Sequence, residues 1–353
     1  AHILERSLQK APFSLLKFAA GCVRRRFHEQ EECGMRKTCR AGKRAGKYFY
    51  RILAAIFWMS LIFTAGYGWY YAKHQIPEHF SVAENMLSDN LKKIVENSED
   101  IDVPALMNVT NEILEKSRNE TNLCNMLLMM KKDTESLYAH SINVSILCQI
   151  LAKWSGCTPK EIENVAIAGL LHDVGILKFP EEMRKDFTFR KEMEGGVYNK
   201  HVLYSYNIVK NQNIDTEIKK AILGHHERLD KSGFPLRISE HGIGKLARIL
   251  AIADIFDTYT MKENDIQPMS VFSVIKKMEE MHLHNILDTQ FNMTFIAHIA
   301  HTMVQHRVLL NDGRTGQVVM INRLNVSRPL VQVGTAFVDL SKDHSLYIQE
   351  LLD

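Results

Sequence analysis

Residues 169–175 read Gly169-Leu170-Leu171-His172-Asp173-Val174-Gly175, and the fold turns on this stretch. The apolar run from Val165 to Leu171 requires burial and ends in an adjacent imidazole and carboxylate, so an interior helix stops where His172 and Asp173 begin. A carboxylate there is costly unless its charge is compensated, and a metal ion compensates it best. Taken alone, the pair also suits a hydrogen-bonded helix end, so its surroundings decide.

Working outward, ligand-type side chains recur on successive helical segments. A helix over about 134–154 places His140 on one inward face with Val144, Leu147, Leu151 and Trp154. Residues 192–210 read as a helix that sets His201 among Val202, Leu203, Tyr206 and Val209. A helix over 215–224 ends in His225 and His226, and one over 243–260 carries Asp254 and Asp257 near its end. Candidates on different helices are 32, 28, 24 and 28 residues apart, each interval about one helix and its return. An antiparallel bundle with that rhythm brings His140, His172, Asp173, His201, His225, His226 and Asp254 to one depth. Nitrogen and oxygen donors without a thiolate suit Mn, Fe or Zn better than Ca or Mg, and seven donors suggest two ions sharing one carboxylate.

The remaining chain frames this bundle. At 353 residues there is room for about two domains. Residues 1–51 form a basic arm with thirteen Lys or Arg against four Glu, while the rest is acidic overall, which argues against binding to a nucleic-acid polymer. Six cysteines, none in a CxxC pair, read as unpaired thiols or a reducing compartment. Residues 52–72 lack Asp, Glu, Lys and Arg and are rich in aromatics near both ends, so a single membrane-spanning helix is expected there. A buried helix or an uncleaved signal segment is the alternative. Residues 73–100 read as a helical connector, with a capping box at Ser81 and Glu84 and an apolar face of Met86, Leu87, Leu91, Ile94 and Val95. The helical domain is expected over 101–305, including an apolar run at Leu123–Met130, and a small β ribbon and tail over 306–353. The β-prone runs are Arg307–Leu310, Gln317–Asn322, Leu330–Val333 and Phe337–Leu340.

His172-Asp173, His225-His226-Glu227-Arg228 and the loop Asp230-Lys231-Ser232-Gly233-Phe234-Pro235 resemble the HD-GYP domain, a branch of the HD superfamily of metal-dependent phosphohydrolases. The resemblance runs from about residue 100 to the C-terminus. It implies a mainly α, HD-type bundle and a bacterial signalling enzyme that hydrolyses cyclic di-GMP or a related cyclic dinucleotide. It also implies two divalent ions, Mn or Fe in the first place and Zn after them. His140, His172 and Asp254 would hold one, His201, His225 and His226 the other, with Asp173 bridging. Two ions about 4 Å apart would make a bridging hydroxide and clamp the phosphoryl oxygens, which meets both barriers of a phosphodiester without a side-chain nucleophile. His172 and Asp173 are then the catalytic pair.

Some positions depart from the resemblance. The family's phosphate-contacting Lys and Arg fall at Ile176 and Glu263, its Tyr at Phe234, and an extra ligand Glu at Ser136. Lys178, Arg228, Lys231 and Lys262 are the candidates to supply charge to the substrate instead. Two alternatives stay open: a phosphohydrolase acting on another nucleotide, and a module that keeps metals for structure and acts by protein binding. The 230–235 loop is a candidate surface for a signalling partner, and an oligomer is left open. The chemistry expects the domain in the cytoplasm, whereas the basic arm ahead of the expected span argues for the opposite orientation. His282, His284, His298, His301 and His306 read as surface or core histidines, and Asp257 as support for the helix end that carries Asp254.

Overall fold

The computed structural model describes residues 80–97, 99–116, 136–185, 196–261 and 269–352, all in the second of the chain's two units, Tyr70–Asp353. Helix α1 (80–97) lays Ala83, Leu87, Leu91 and Ile94 into the core at helical spacing. Ser81 lies inside this helix, so the expected capping box does not form, and Glu84 instead accepts the Ser136 hydroxyl at 2.6 Å. Helix α2 (Val103–Lys116) starts at Asp102, whose side chain accepts the Ala105 N–H, and it buries Leu106, Val109 and Ile113.

Helix α3 (Leu137–Trp154) is capped by Ser136, whose hydroxyl accepts the Ala139 N–H at 3.0 Å. Every residue from Ala139 to Ala152 is buried, so α3 runs through the middle of the bundle rather than presenting one inward face. Two of its polar residues find partners inside: Ser145 donates to the Ala166 carbonyl at 2.8 Å and Gln149 to Thr110 at 3.1 Å. Helix α4 (Pro159–Leu171) has a complete capping box at Thr158 and Glu161 with Pro159 in its first turn. It crosses α3 so closely that a Cβ on Gly169 would lie 2.6 Å from the Ser145 Cα.

A 3₁₀ turn (Val174–Lys178) and helix α5 (Glu181–Lys185) follow, then α6 (Lys200–Val209), α7 (Thr216–Gly224) and α8 (Lys245–Thr260). Helix α8 packs on α3, α7 on both α4 and α8, and α6 against the 3₁₀ turn. Among the described residues, the helix expected over 192–210 runs from Lys200 to Val209. Gly196 favours irregular backbone, 196–199 are bend and turn, and 192–195 lie outside the described residues. Helices α9 (Val271–Leu283) and α10 (Thr289–Thr302) extend the core through Phe272, Ile275, Phe295 and Ile299.

The C-terminal sheet has five antiparallel strands, β1 (Arg307–Leu310), β2 (Thr315–Met320), β3 (Leu330–Val333), β4 (Ala336–Asp339) and β5 (Ile348–Leu351), in the order β4-β3-β2-β1-β5. Val308, Leu310, Val318, Val331 and Ile348 are buried. Strand β5 was not expected, because Ile348-Gln349-Glu350-Leu351 is too short and polar to show alternation; its pairing with β1, Val308 opposite Leu351, creates it.

The membrane-spanning architecture expected from 52–72 does not stand. No helix among the described residues is long and apolar enough to cross a membrane, and 52–72 itself lies outside them. The strongly apolar part of that stretch also ends at Phe63. Thr64 to Ala72 contains Gly66, Gly68 and several aromatics, so freedom from charge overstated its continuous hydrophobic length. The membrane partner and the single-pass localisation fall with it. The apolar run at Leu123–Met130 and the positions Lys262 and Glu263 also lie outside the described residues.

Candidate metal centre

The seven ligand-type residues come from five places in the bundle. His140 lies in the first turn of α3, and His172 and Asp173 follow the end of α4. His201 opens α6, His225 and His226 follow α7, and Asp254 lies in α8. Two groups form: His140, His172 and Asp173 in one, and Asp173, His201, His225 and His226 in the other. Within each group the ligand atoms are within 4.8 Å of one another. Asp173 belongs to both, and its two oxygens divide between them. Oδ1 is 3.2 Å from His201 Nε2 and 3.8 Å from His225 Nε2, while Oδ2 is 3.6 Å from His172 Nε2 and 3.9 Å from His140 Nε2. Asp254 Oδ1 lies 3.2 Å from His140 Nε2, and its Oδ2 lies 3.9 Å from His226 Nδ1.

The imidazoles are aimed by their other ring nitrogen. Nδ1–H of His172 donates to the Gly169 carbonyl at 2.8 Å, that of His201 to Tyr198 at 2.6 Å, and that of His225 to Ile222 at 2.7 Å. His140 gives its Nδ1–H to the Asp257 carboxylate at 2.7 Å. A carbonyl can only accept, so at His172, His201 and His225 the bond fixes the Nδ1–H tautomer and turns the Nε2 lone pair toward the centre. The buried Nε2 atoms of His201 and His225 have no hydrogen-bond partner among the described residues. Buried, bare lone pairs that converge beside a carboxylate fit a divalent cation.

Electrostatics keep the donors in ligand form. Burial, helped by the neighbouring His172, pushes His225 down to about 3. Burial lowers His172 against the pull of Asp173, and burial and then His225 carry His226 well below the ordinary imidazole range. Burial raises Asp254, but the His140 hydrogen bond and the charges of His226, His140 and His172 outweigh it and leave the carboxyl below its usual range. At neutral pH the centre therefore offers neutral His172, His225 and His226 and an anionic Asp254.

The candidate substrate cations are placed differently. Arg228 donates from Nη1 to the His225 and Glu227 carbonyls, both at 3.0 Å, which puts its guanidinium against the metal turn. The Lys178 ammonium donates to the Val95 carbonyl at the end of α1, and Ile176 is only 7% exposed, so neither is shown aimed at the ligand groups. Lys231 is exposed in the loop. Among the described residues, His282, His284, His298, His301 and His306 belong to neither ligand group, and His298 stacks on Trp154. The Asp257 carboxylate serves His140, while its carbonyl accepts the Met261 N–H at the end of α8. The signal was present in the three-residue spacing of Asp254 and Asp257, which puts both on one face of α8. Glu227 went unread beyond its place in the motif, although it is 3% exposed.

Converging buried imidazoles around a shared carboxylate in a helical bundle define a metal-dependent hydrolytic class. The HD domain family model matches residues 81–291, and the chain belongs to that family of metal-dependent phosphohydrolases. The chain is 25% identical over 234 residues to a cyclic di-GMP phosphodiesterase of Pseudomonas aeruginosa, covering 66% of this chain and 56% of that protein. It is 32% identical over 170 residues to 3'3'-cGAMP-specific phosphodiesterase 1 of Vibrio cholerae, covering 47% of this chain and 39% of that protein. A solved HDG"Y"P protein from Bdellovibrio bacteriovorus is 19% identical, with a TM-score of 0.45 over 61% of this chain and 70% of that one.

Proposed function

We propose that this chain hydrolyses one phosphodiester bond of cyclic di-GMP or a related cyclic dinucleotide, using two divalent ions. The observation that carries the reading is the division of Asp173, one oxygen facing each ligand group. His140, His172 and Asp254 would hold one ion, His201, His225 and His226 the other, and Asp173 both. The nitrogen and oxygen donor set favours Mn or Fe, with Zn next. When bound, the ions supply an activated water and positive charge for the phosphoryl oxygens.

The chain's own residues do the remaining work. The carbonyls of Gly169, Tyr198 and Ile222 and the Asp257 carboxylate hold the rings so that no reorganisation is needed as charge develops. Arg228 brings fixed positive charge to the turn that carries His225 and His226. The relatives' printed activities support a cyclic dinucleotide as substrate class.

The test is an assay of the full chain loaded with Mn or Fe and supplied separately with cyclic di-GMP and 3'3'-cGAMP. A linear dinucleotide from either supports the proposal. Two bound ions with no product from either dinucleotide would refute it.

A further inference from the structure

We infer that Glu227 is a positioning residue whose carboxylate clamps the 230–238 loop so that Phe234 holds the ring of His226 in its ligand group. The inference rests on His226 being a metal ligand, as proposed above. Of the five imidazoles, four have Nδ1–H anchored to a carbonyl or to Asp257. His226 has no such anchor among the described residues. Its ring lies against Phe234 instead, with centroids 4.5 Å apart and planes 26° from parallel.

The loop that carries Phe234 is tied to the metal turn from both sides. The Phe234 N–H donates to the His226 carbonyl at 3.1 Å. A Cβ on Gly233 would come within 2.3 Å of that carbonyl oxygen, so the two backbones are in direct contact. On the far side, Oε1 of Glu227 accepts the N–H groups of Leu236 at 2.6 Å and Arg237 at 3.1 Å, and Oε2 accepts that of Ile238 at 3.1 Å. Three backbone donors on one buried carboxylate make a strong, directional anchor. The loop needs one, because Lys231 and Arg237 both have positive φ, 68° and 53°, a conformation that non-glycine residues rarely adopt. Glu227 therefore acts on His226 through the loop and touches no reacting atom.

Titrating the full chain with Co(II), followed by visible absorption and by thermal melting, tests this. The wild-type chain should bind two equivalents. Glu227→Gln places an amide NH₂ where a carboxylate oxygen accepted an N–H. It should keep one equivalent at wild-type affinity and bind the other about 10- to 100-fold more weakly. Glu227→Asp retains the charge on a shorter arm and should recover part of that loss. Phe234→Leu, at a half-buried loop position, removes the stacked ring without disturbing the clamp and should weaken the same equivalent; it decides the matter if Glu227→Gln does not fold. Wild-type binding of both equivalents by folded Glu227→Gln or by Phe234→Leu overturns the inference while leaving the metal centre standing. A wild-type chain that binds no Co(II) overturns both.

Discussion

Gly175→Ala puts the geometry of the centre to a quantitative test. Gly175 lies in the 3₁₀ turn immediately after Asp173, and its N–H donates to Ser205 of α6 at 2.8 Å. A Cβ there would lie 2.2 Å from the His201 carbonyl oxygen and 2.4 Å from the Ser205 nitrogen. Ordinary van der Waals contact begins at 3.4 Å, so the start of α6 must retreat by about 1.2 Å. Both clashing atoms are backbone, so no flexible side chain can absorb the shift. His201 moves with its helix, and its Nε2 now lies 3.2 Å from Asp173 Oδ1. A displacement of that size takes one donor out of the group of four. His140 and His172 are carried by α3 and the end of α4 and keep their places. The overpacked variant should lose about 1–3 kcal/mol of stability, a fall in Tm of several degrees, and should still fold. Metal analysis after dialysis should find one tightly held ion per chain instead of two. Two ions at wild-type affinity in a folded Gly175→Ala chain would refute the argument that this close approach sets His201.

Three further outcomes are expected. Asp173→Ala removes the carboxylate shared by both groups, so both ions and all turnover should go together; metal analysis with product formation checks this. Asp257→Ala strips His140 of its Nδ1 partner and should weaken one ion by about 10- to 100-fold. Asp257→Asn, which still offers a carbonyl oxygen, should lose less, and Co(II) titration separates the two. Away from the centre, hydrogen bonds from Lys245 and from the Thr158 N–H hold Glu161 down to about 2. Its stabilising contribution is thus complete above the ordinary value of 4.5 and lost as pH falls from there toward 2. Glu161→Gln should flatten that acid limb of the stability curve slightly, the effect being small because the pair is largely solvated; thermal melts at stepped pH check it.

The convergence of the candidate ligands was legible because each ligand-type residue follows or opens an apolar helical run, and a bundle repeats its depth once per helix and return. Periodicity finds which residues face inward, and here that was enough to bring His140, His172, Asp173, His201, His225 and His226 into two overlapping groups with Asp254 beside them. What escaped was set by contacts distant in sequence. Helix α3 reads as one-sided because His140, Val144, Leu147, Leu151 and Trp154 recur at helical spacing, yet Ser141, Asn143, Ser145 and Gln149 are buried too, and Ser145 and Gln149 donate hydrogen bonds inside. Glu227 read as one letter of a motif because its partners are backbone N–H groups nine to eleven residues on, and any residue but proline supplies one. Lys178 reads as a substrate contact because it follows Ile176, where the resemblance implies a phosphate-contacting Lys; the 3₁₀ turn carries its ammonium to the Val95 carbonyl, where a cation suits a helix C-terminus.

The ring tautomers carry a general consequence. An α-helix leaves its last carbonyls without intrahelical partners. His172 and His225 are the residues directly after α4 and α7, and each gives Nδ1–H to the carbonyl three residues back, Gly169 and Ile222. His201 uses the same three-residue interval at the opposite end of a helix, bonding Tyr198 in the turn before α6. An apolar helix that ends in histidine therefore presents a bare Nε2 by backbone geometry alone. Nitrogen-15 NMR of the metal-free chain at neutral pH should show His172, His201 and His225 with Nδ1 protonated and Nε2 bare. His225 should keep that form through mild acid, since burial and the neighbouring His172 hold it near 3. Nε2-protonated rings at these three positions would mean that the carbonyls do not set the tautomer, and the preorganisation argued for the centre would fail with them.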